Sequence, residues 1–228
     1  MKLTVIVTVF NERDTIIRAV EEAMALQIDK EVIVVDNCST DGTRDMLRSL
    51  NDRQVKIVYQ PENYGYGVSV ITGLSMAKGE YIYVQHSDLE YDISCVYEML
   101  KLAETENLDV ILGSRLMSRQ HESKFKIFKE RPWYLGTFIT TFLVNLLFGK
   151  KFVDIIGNRF FRAKALKAME MKSLKAGFDF EIVSKAAKMG LKVKEIAVKY
   201  KPRSLGKKVR LYDIFPAIWV IFKVRFFK

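Results

Sequence analysis

The sequence predicts an α/β fold in which helices flank a mostly parallel central sheet. Three observations carry that reading. Short apolar runs rich in Val, Ile and Tyr alternate with amphipathic stretches, polar residues cluster where the runs end, and 49% of the 228 residues are apolar, enough to bury a sizeable core.

In chain order, "LTVIVTVF" reads as a first strand. It is too short, and lacks the small-residue cleavage site, to be a secretory signal. Ile16, Ile17, Val20, Ala23 and Met24 then recur at helical spacing, with Asn11 placed to cap that helix and Asp14 near the positive end of its dipole. "EVIVVD" is the second strand, and Ser39 or Thr40 is placed to cap a helix over 43–50. "VKIVYQ", "EYIYVQ" and "DVILGSR" are three further strands, with helices over 66–77 and 93–106 between them. Such alternation implies right-handed crossovers.

After about residue 115 the pattern changes. Residues 119–131 are basic, and "WYLGTFITTFLVNLLF" is apolar for sixteen residues but contains Gly136, Asn145 and three threonines. A bilayer span wants roughly 20 apolar residues, so this reads as a buried or membrane-facing helix. "FVDIIGNRFFRAKAL" predicts a turn or short strand entering a helix, "DFEIVSKAAKMG" a helix and "KVKEIAVKY" a strand. With no internal repeat and no low-complexity linker, residues 1–228 are expected to form a single domain of two halves, 1–115 and 116–228.

A sheet of this kind binds ligands beyond the carboxyl ends of its strands. Asn11 and Glu12, Asp36 and Asn37, His86 to Asp88, and Ser114 and Arg115 all fall there. The net charge of +10 calls for an anionic partner: nucleic acid, a phosphorylated small molecule or an acidic membrane surface. Cys38 and Cys95 form no CxxC, which removes a disulfide framework and a zinc site and fits a reducing compartment.

Four segments carry candidate chemistry. In "VVDNCSTDGT", Asp36 ends a buried strand, where it either accepts hydrogen bonds from a nucleoside or belongs to a turn built on Asp41-Gly42. "NYGYG" has Val70 where a dinucleotide fingerprint wants its third glycine, so Gly65 and Gly67 read instead as a loop passing close to a ligand or sheet edge. "VQHSDLEYD" sets His86, Asp88, Glu90 and Asp92 at every second position. Alternate strand residues lie about 6.6 Å apart on one face, so His86 and Asp88 can converge on one ion, whereas a four-ligand cage would stretch over about 20 Å and is excluded. In "GFDFE", Asp179 and Glu181 are either a general base or acids complementing a helix dipole.

Taken together, "VIVTVFNE", "VIVVDNCSTDGT", "NYGYG", "KGEYIYVQHSDLEYD", "GSR", "DIIGNRFFR", "GFDFE" and "YKPRSLGKK" resemble family 2 glycosyltransferases of the GT-A fold, in the branch of dolichyl- or polyprenyl-phosphate sugar synthases. The resemblance covers nearly the whole chain in order. It implies a Rossmann-like GT-A domain whose residues 1–115 bind a nucleoside-diphosphate sugar and whose residues 116–228 face the acceptor, and an inverting transfer of the sugar to a polyprenyl-phosphate or glycan.

On that resemblance Thr8, Phe10 and Glu12 line the nucleotide, Asp36 meets base and ribose, and Thr8 stands where many relatives have proline. Asp88 falls on the last aspartate of the family's DxD, with Ser87 and Glu90 beside it, and Arg115 on a residue near the diphosphate. Arg131, Arg203, Lys207 and Lys208 match basic positions that hold donor or acceptor phosphates, the last three as a closing segment around Gly206. Relatives read Asp-Ala-Asp where this chain has His86-Ser87-Asp88. The implied cofactor is a divalent cation, Mg2+ or Mn2+, held by Asp88 and, with a preference for Mn2+, His86. With a lipid phosphate as acceptor the nucleophile is already ionised at neutral pH, and Asp179 or Glu181 is dispensable as a base.

The C-terminal "DIFPAIWVIFKVRFFK" mixes aromatics with Lys223, Arg225 and Lys228 and is expected either to lie in the headgroup region of an acidic membrane or to pack on the core. The expected location is cytoplasmic, peripheral on the membrane face. Two other functions stand behind the transferase: a catalytically silent nucleotide-sugar binder, motivated by His86, and, last, a nucleic-acid binder, for which the charge lacks a recognised motif.

Overall fold

The computed structural model describes the chain except residues 51–53, 120, 133, 174–176, 204–213 and 228. Lys207 and Lys208 lie outside the described residues.

Three strands, β1 (Leu3–Val9), β2 (Lys30–Asp36) and β3 (Val55–Tyr59), run parallel, separated by helices α1 (Ile16–Met24) and α2 (Thr43–Ser49). Helix α3 (Tyr66–Met76) then carries the chain back across the sheet to β4 (Tyr81–His86), which pairs in parallel with the other side of β1. After α4 (Cys95–Thr105) come β5 (Val110–Ser114), a 3-10 turn over Met117–Arg119, α5 (Lys124–Glu130) and α6 (Tyr134–Phe148). Strand β6 (Arg159–Arg162) is antiparallel and lies between β4 and β5; α7 (Ala163–Ala168), α8 (Phe178–Lys188), β7 (Val193–Ala197) and α9 (Ile214–Phe226) complete the order β3-β2-β1-β4-β6-β5-β7.

The period of two along the strands separates two apolar layers. Val5, Val7, Val32 and Val34 face Ile16 and Val20 of α1, Leu47 of α2 and Val96 and Met99 of α4. The intervening Ile6, Ile33 and Val35 face Val70 and Leu74 of α3, Val144 of α6, and Phe178 and Ile182 of α8. Both faces being covered explains why the strands read as continuous apolar runs.

Direction reverses between β1 and β4: β2 and β3 extend to one side of β1, and β4 returns on the other. That switch point opens the crevice in which ligands of such sheets sit. Register fixes what lines it, because Thr8 stands opposite Val35 and His86, and Val9 opposite Asp36.

Two expected caps are replaced. The N-cap of α1 is Thr15, without a side-chain cap bond, while Asn11 takes a left-handed φ of 54° and its side chain accepts the Thr40 N–H at 2.8 Å. The N-cap of α2 is Gly42, in the left-handed region at φ 95°, and Ser39 instead accepts the Asn11 N–H through its hydroxyl. Asn and Ser spend their short polar side chains between the two strand-end loops, which locks those loops together at the crevice.

Candidate active site

Strand β4 ends at His86, and the alternation in "HSDLEYD" ends with it. Leu89 adopts a left-handed φ of 58°, and the Asp88 Oδ1 accepts the Glu90 N–H at 3.1 Å, so the chain turns instead of extending. The strand spacing used to bring His86 and Asp88 onto one ion therefore does not apply.

His86 is occupied by aromatic rings: Tyr66 stacks on it with centroids 5.3 Å apart and Tyr91 tilts against it at 6.0 Å. Among the described residues no three His, Cys, Asp or Glu side chains form a group that could hold a metal by themselves.

The turn instead delivers Asp88 and Glu90 to an arginine from the far end of the chain. The Arg203 guanidinium forms a fork with Glu12, at 2.7 and 2.9 Å, and lies 3.5 Å from the Asp88 Oδ2 and 3.8 Å from the Glu90 Oε1. Glu12 is 9% exposed, Glu90 13%, Asp88 23% and Arg203 33%, so all four are partly withdrawn from water. The hydrogen bonds that Arg203 donates to Glu12, more than the opposing burial, hold the Arg203 pKa above its ordinary value.

Glu90 is the post to which this segment is tied. Its carboxylate accepts the Tyr200 hydroxyl at 2.7 Å and the Arg203 N–H at 2.8 Å, and its carbonyl accepts the Lys201 N–H at 2.8 Å. Burial first, and then the neighbouring Glu90, push the Tyr200 hydroxyl pKa up.

The other predicted positions sort by distance from this cluster. Thr8 and Ser87 are buried at the ends of β1 and β4, and Phe10 is half-buried just beyond β1. Asp36 is fully buried, accepts the Ser39 N–H and takes Arg44 Nε at 2.5 Å; Arg44 also donates to the Gln60 carbonyl and lies over the Tyr59 ring. Its carboxylate is thus already neutralised from within.

Arg115 is bound through Nε and a terminal nitrogen to Asp154, at 2.8 and 2.9 Å, with Tyr134 and Tyr200 over its guanidinium at 5.1 and 5.6 Å. Burial pushes the Asp154 carboxyl up, but Arg115 and two backbone N–H groups outweigh it and hold it below the usual range.

Arg115 lines a cleft of about 430 Å³ together with Arg119, Arg131, Lys199 and Lys201. Glu122 and Glu130 neutralise Arg119, whereas Arg131 contacts Tyr134, its hydroxyl at 3.4 Å and its ring at 6.0 Å from the centroid. This cationic cleft meets the carboxylate cluster through Tyr200, which lines the first and bonds to Glu90 of the second.

The two acids of "GFDFE" part company. Asp179 sits in the first turn of α8, 2.8 Å from buried Arg159 and close enough to Tyr66 to help raise that hydroxyl's pKa, behind the larger effect of burial. Glu181 is 3% exposed and accepts the N–H groups of Lys172 and Ser173 and the Lys185 ammonium at 2.7 Å. That carboxylate is committed to its own backbone turn and to Lys185, and Asp179 is committed to Arg159.

Sequence reasoning missed Arg44, Asp154 and Arg159. Only Asp154 left a signal: an acid inside the apolar run "FVDII" needs a buried cation as partner.

All-carboxylate oxygen donors around one cation suit Mg2+ or Mn2+ better than a cysteine or histidine set would, provided a substrate diphosphate completes the coordination. Glu12, Asp88 and Glu90 supply carboxylate oxygens around the Arg203 guanidinium but do not make a metal group by themselves, and His86 is not among them.

The chain is similar to known glycosyltransferases in sequence and in fold. The chain is 27% identical over 206 residues to a low-salt glycan biosynthesis hexosyltransferase of Haloferax volcanii, covering 88% of this chain and 48% of that protein. It is 23% identical over 217 residues to an undecaprenyl-phosphate mannosyltransferase of Micrococcus luteus, covering 91% and 86%. The chain thus spans about half the length of the first relative and most of the second.

A mannosyltransferase of Pyrobaculum calidifontis, solved with GDP-Man and Mn2+, superposes with a TM-score of 0.64 at 17% identity, covering 98% of this chain and 69% of that one. The expected GT-A fold is the fold observed. The model of the family described as "Glycosyl transferase family 2" matches residues 4–169, and the chain belongs to that family.

Proposed function

We propose that the protein transfers a hexose from a nucleoside-diphosphate sugar, with inversion, to a polyprenyl phosphate. The observation that carries it is the pairing of two unlike sites: a carboxylate cluster at the β1/β4 switch point and, joined to it by Tyr200, a cationic cleft lined by Arg115, Arg131, Lys199 and Lys201. A glycan hydroxyl needs a base and no cations. A lipid phosphate needs cations and no base, and this chain lines the cleft with Arg115, Arg131, Lys199 and Lys201, while the candidate base Asp179 is already paired with Arg159.

The chemistry then follows from charge. The donor's nucleoside lies over Thr8 and Phe10, and its diphosphate is held beside Asp88. Asp88 with Glu12 or Glu90 would hold Mg2+ or Mn2+ together with the diphosphate, and the ion would supply positive charge to the departing group. Arg131 and the lysines of the cleft orient the acceptor phosphate, whose ionised oxygen attacks the anomeric carbon from the face opposite the leaving group. As that bond forms, the bond to the diphosphate oxygen breaks and one negative charge accumulates on the nucleoside diphosphate, where cationic groups already in position stabilise it. The halves 1–115 and 116–228 divide accordingly into donor and acceptor sides.

Such an acceptor places the protein at a membrane. No helix among the described residues is long and apolar enough to cross one, but α6 and α9 each present an apolar stripe to water. Phe142 and Leu146 are 62% and 65% exposed, Phe215 and Trp219 72% and 62%. With Lys223 and Arg225 at the end of α9, this is the composition of a helix lying in the headgroup region of the cytoplasmic face.

A second reading, nucleotide-sugar binding without transfer, draws on His86 being engaged by Tyr66 and Tyr91. One experiment decides between them. Uridine, guanosine and thymidine diphosphate sugars are each incubated with undecaprenyl phosphate and Mn2+, and glycolipid is measured. Product from one donor supports transfer; donor binding with neither glycolipid nor donor hydrolysis leaves the binding role.

A further inference from the structure

Arg203 holds the place that a divalent cation needs. Its guanidinium lies within 4 Å of carboxylate oxygens of Glu12, Asp88 and Glu90 at once, and no other cationic side chain is recorded against Asp88 or Glu90 among the described residues. The arrangement also has a built support. Tyr91 and Tyr200 form an antiparallel bridge, with ring centroids 5.0 Å apart, and the Lys201 and Arg203 N–H groups end on Glu90. The sequence distance is long: Arg203 lies 191 residues from Glu12.

We propose that Arg203 is an exchangeable internal counter-cation: it neutralises the carboxylate cluster when no donor is bound, and the divalent cation of a metal–donor complex enters only as the Arg203 fork leaves Glu12 and Asp88. Two cations do not share one set of carboxylate oxygens at these distances, because like charges a few ångströms apart repel in a partly desolvated site. The displaced arginine stays on a segment anchored by Tyr200 and Glu90, beside the diphosphate whose charge it can then meet. Loading of the donor site is thereby linked to the position of the C-terminal segment, and free metal without nucleotide is held off. This rests on the proposal above that Asp88 and its neighbours receive a metal with the diphosphate.

The test is Mn2+ binding, followed by electron paramagnetic resonance of the free ion, to the wild-type chain, Arg203→Gln and Arg203→Lys. Each is measured with Mn2+ alone, then with UDP and with GDP. Removing the competing charge is expected to tighten binding of Mn2+ alone by about tenfold or more in Arg203→Gln, equivalent to about 1.4 kcal/mol. Arg203→Lys, which keeps a charge but loses the fork, should fall between the two and guards against a glutamine variant that does not fold. Equal affinity for Mn2+ alone in all three proteins overturns the exchange while leaving the metal reading intact. No binding by any of them, with or without nucleotide, overturns both.

Discussion

Replacing Asp154 by alanine should be among the most damaging single changes that do not touch substrate. The side chain is fully buried and accepts four hydrogen bonds: the Arg115 N–H, its Nε and a terminal nitrogen, and the Ile156 N–H. Arg115 is 10% exposed and packed against Tyr134 and Tyr200, so it cannot recover water by a small rotation. Breaking a buried pair by removing one partner costs about 3–5 kcal/mol, because the other charge stays behind without compensation. At about 2–4 °C per kcal/mol for a chain of this size, the melting temperature should drop by roughly 6–20 °C. Thermal and urea unfolding followed by circular dichroism measure it. The companion double variant Arg115→Met/Asp154→Leu removes both charges and should lose less than Asp154→Ala alone. A loss under about 1 kcal/mol for Asp154→Ala, or a double variant as unstable as the two single changes added, would refute the claim that this pair holds β5 to the 152–158 turn.

Two further outcomes are expected. Burial raises the Glu181 carboxyl, but the Lys185 ammonium and the Ser173 and Lys172 N–H groups outweigh it, leaving its folded pKa below the ordinary 4.5. Its contribution is complete above that value and is lost as pH falls through the lower folded one. Glu181→Gln should therefore cost about 1.5–3 kcal/mol near neutrality and progressively less below pH 4.5, read as converging urea midpoints, while transfer to undecaprenyl phosphate persists; abolished transfer at intact stability would restore Glu181 as a base. At the membrane, Phe142→Asp/Trp219→Asp should abolish flotation with acidic liposomes without changing nucleotide affinity, and undiminished flotation would dismiss the α6–α9 surface.

How much of this was legible follows from which interactions are local. Of the six parallel strands, β1, β2, β4 and β5 appeared within a residue or two of their runs because each is buried on both faces, and the less buried β3 was marked by its Val and Ile content. The antiparallel β6 showed only as a turn or short strand: its four residues, Arg159–Arg162, carry two arginines, and its place between β4 and β5 depends on pairing partners some 50 to 80 positions away. Gly157 is part of that placement, since a Cβ there would run into the Gly113 carbonyl. Caps failed for a related reason. Asn11 and Ser39 have the right chemistry to cap the helices that follow them, but the two loops lie side by side in the folded sheet and satisfy one another. At the site, acids at strand ends were visible one by one. Their partners were not, because Arg44 serves Asp36 from within its own helix and Arg203 reaches Glu12 across nearly the whole chain.

That last pattern bears on how the charge is used. The first half supplies most of the carboxylates at the crevice, Glu12, Asp88 and Glu90, and the second half supplies their cation, Arg203; Arg115 and Asp154 repeat the exchange in the opposite sense. Each such pair joins halves that the sheet connects through the pairings of β4 and β5 with β6 and of β5 with β7. Pairing also removes these residues from the excess of ten positive charges, which must then reside elsewhere. Part of it lines the cleft, as Arg131 and Lys201, and part ends α9, as Lys223 and Arg225. On the proposed function, the paired charge belongs to the donor site and the remaining charge to the side that would face a lipid-phosphate acceptor. If the excess served solubility alone it would be dispersed, and neutralising Arg131 would leave acceptor KM unchanged.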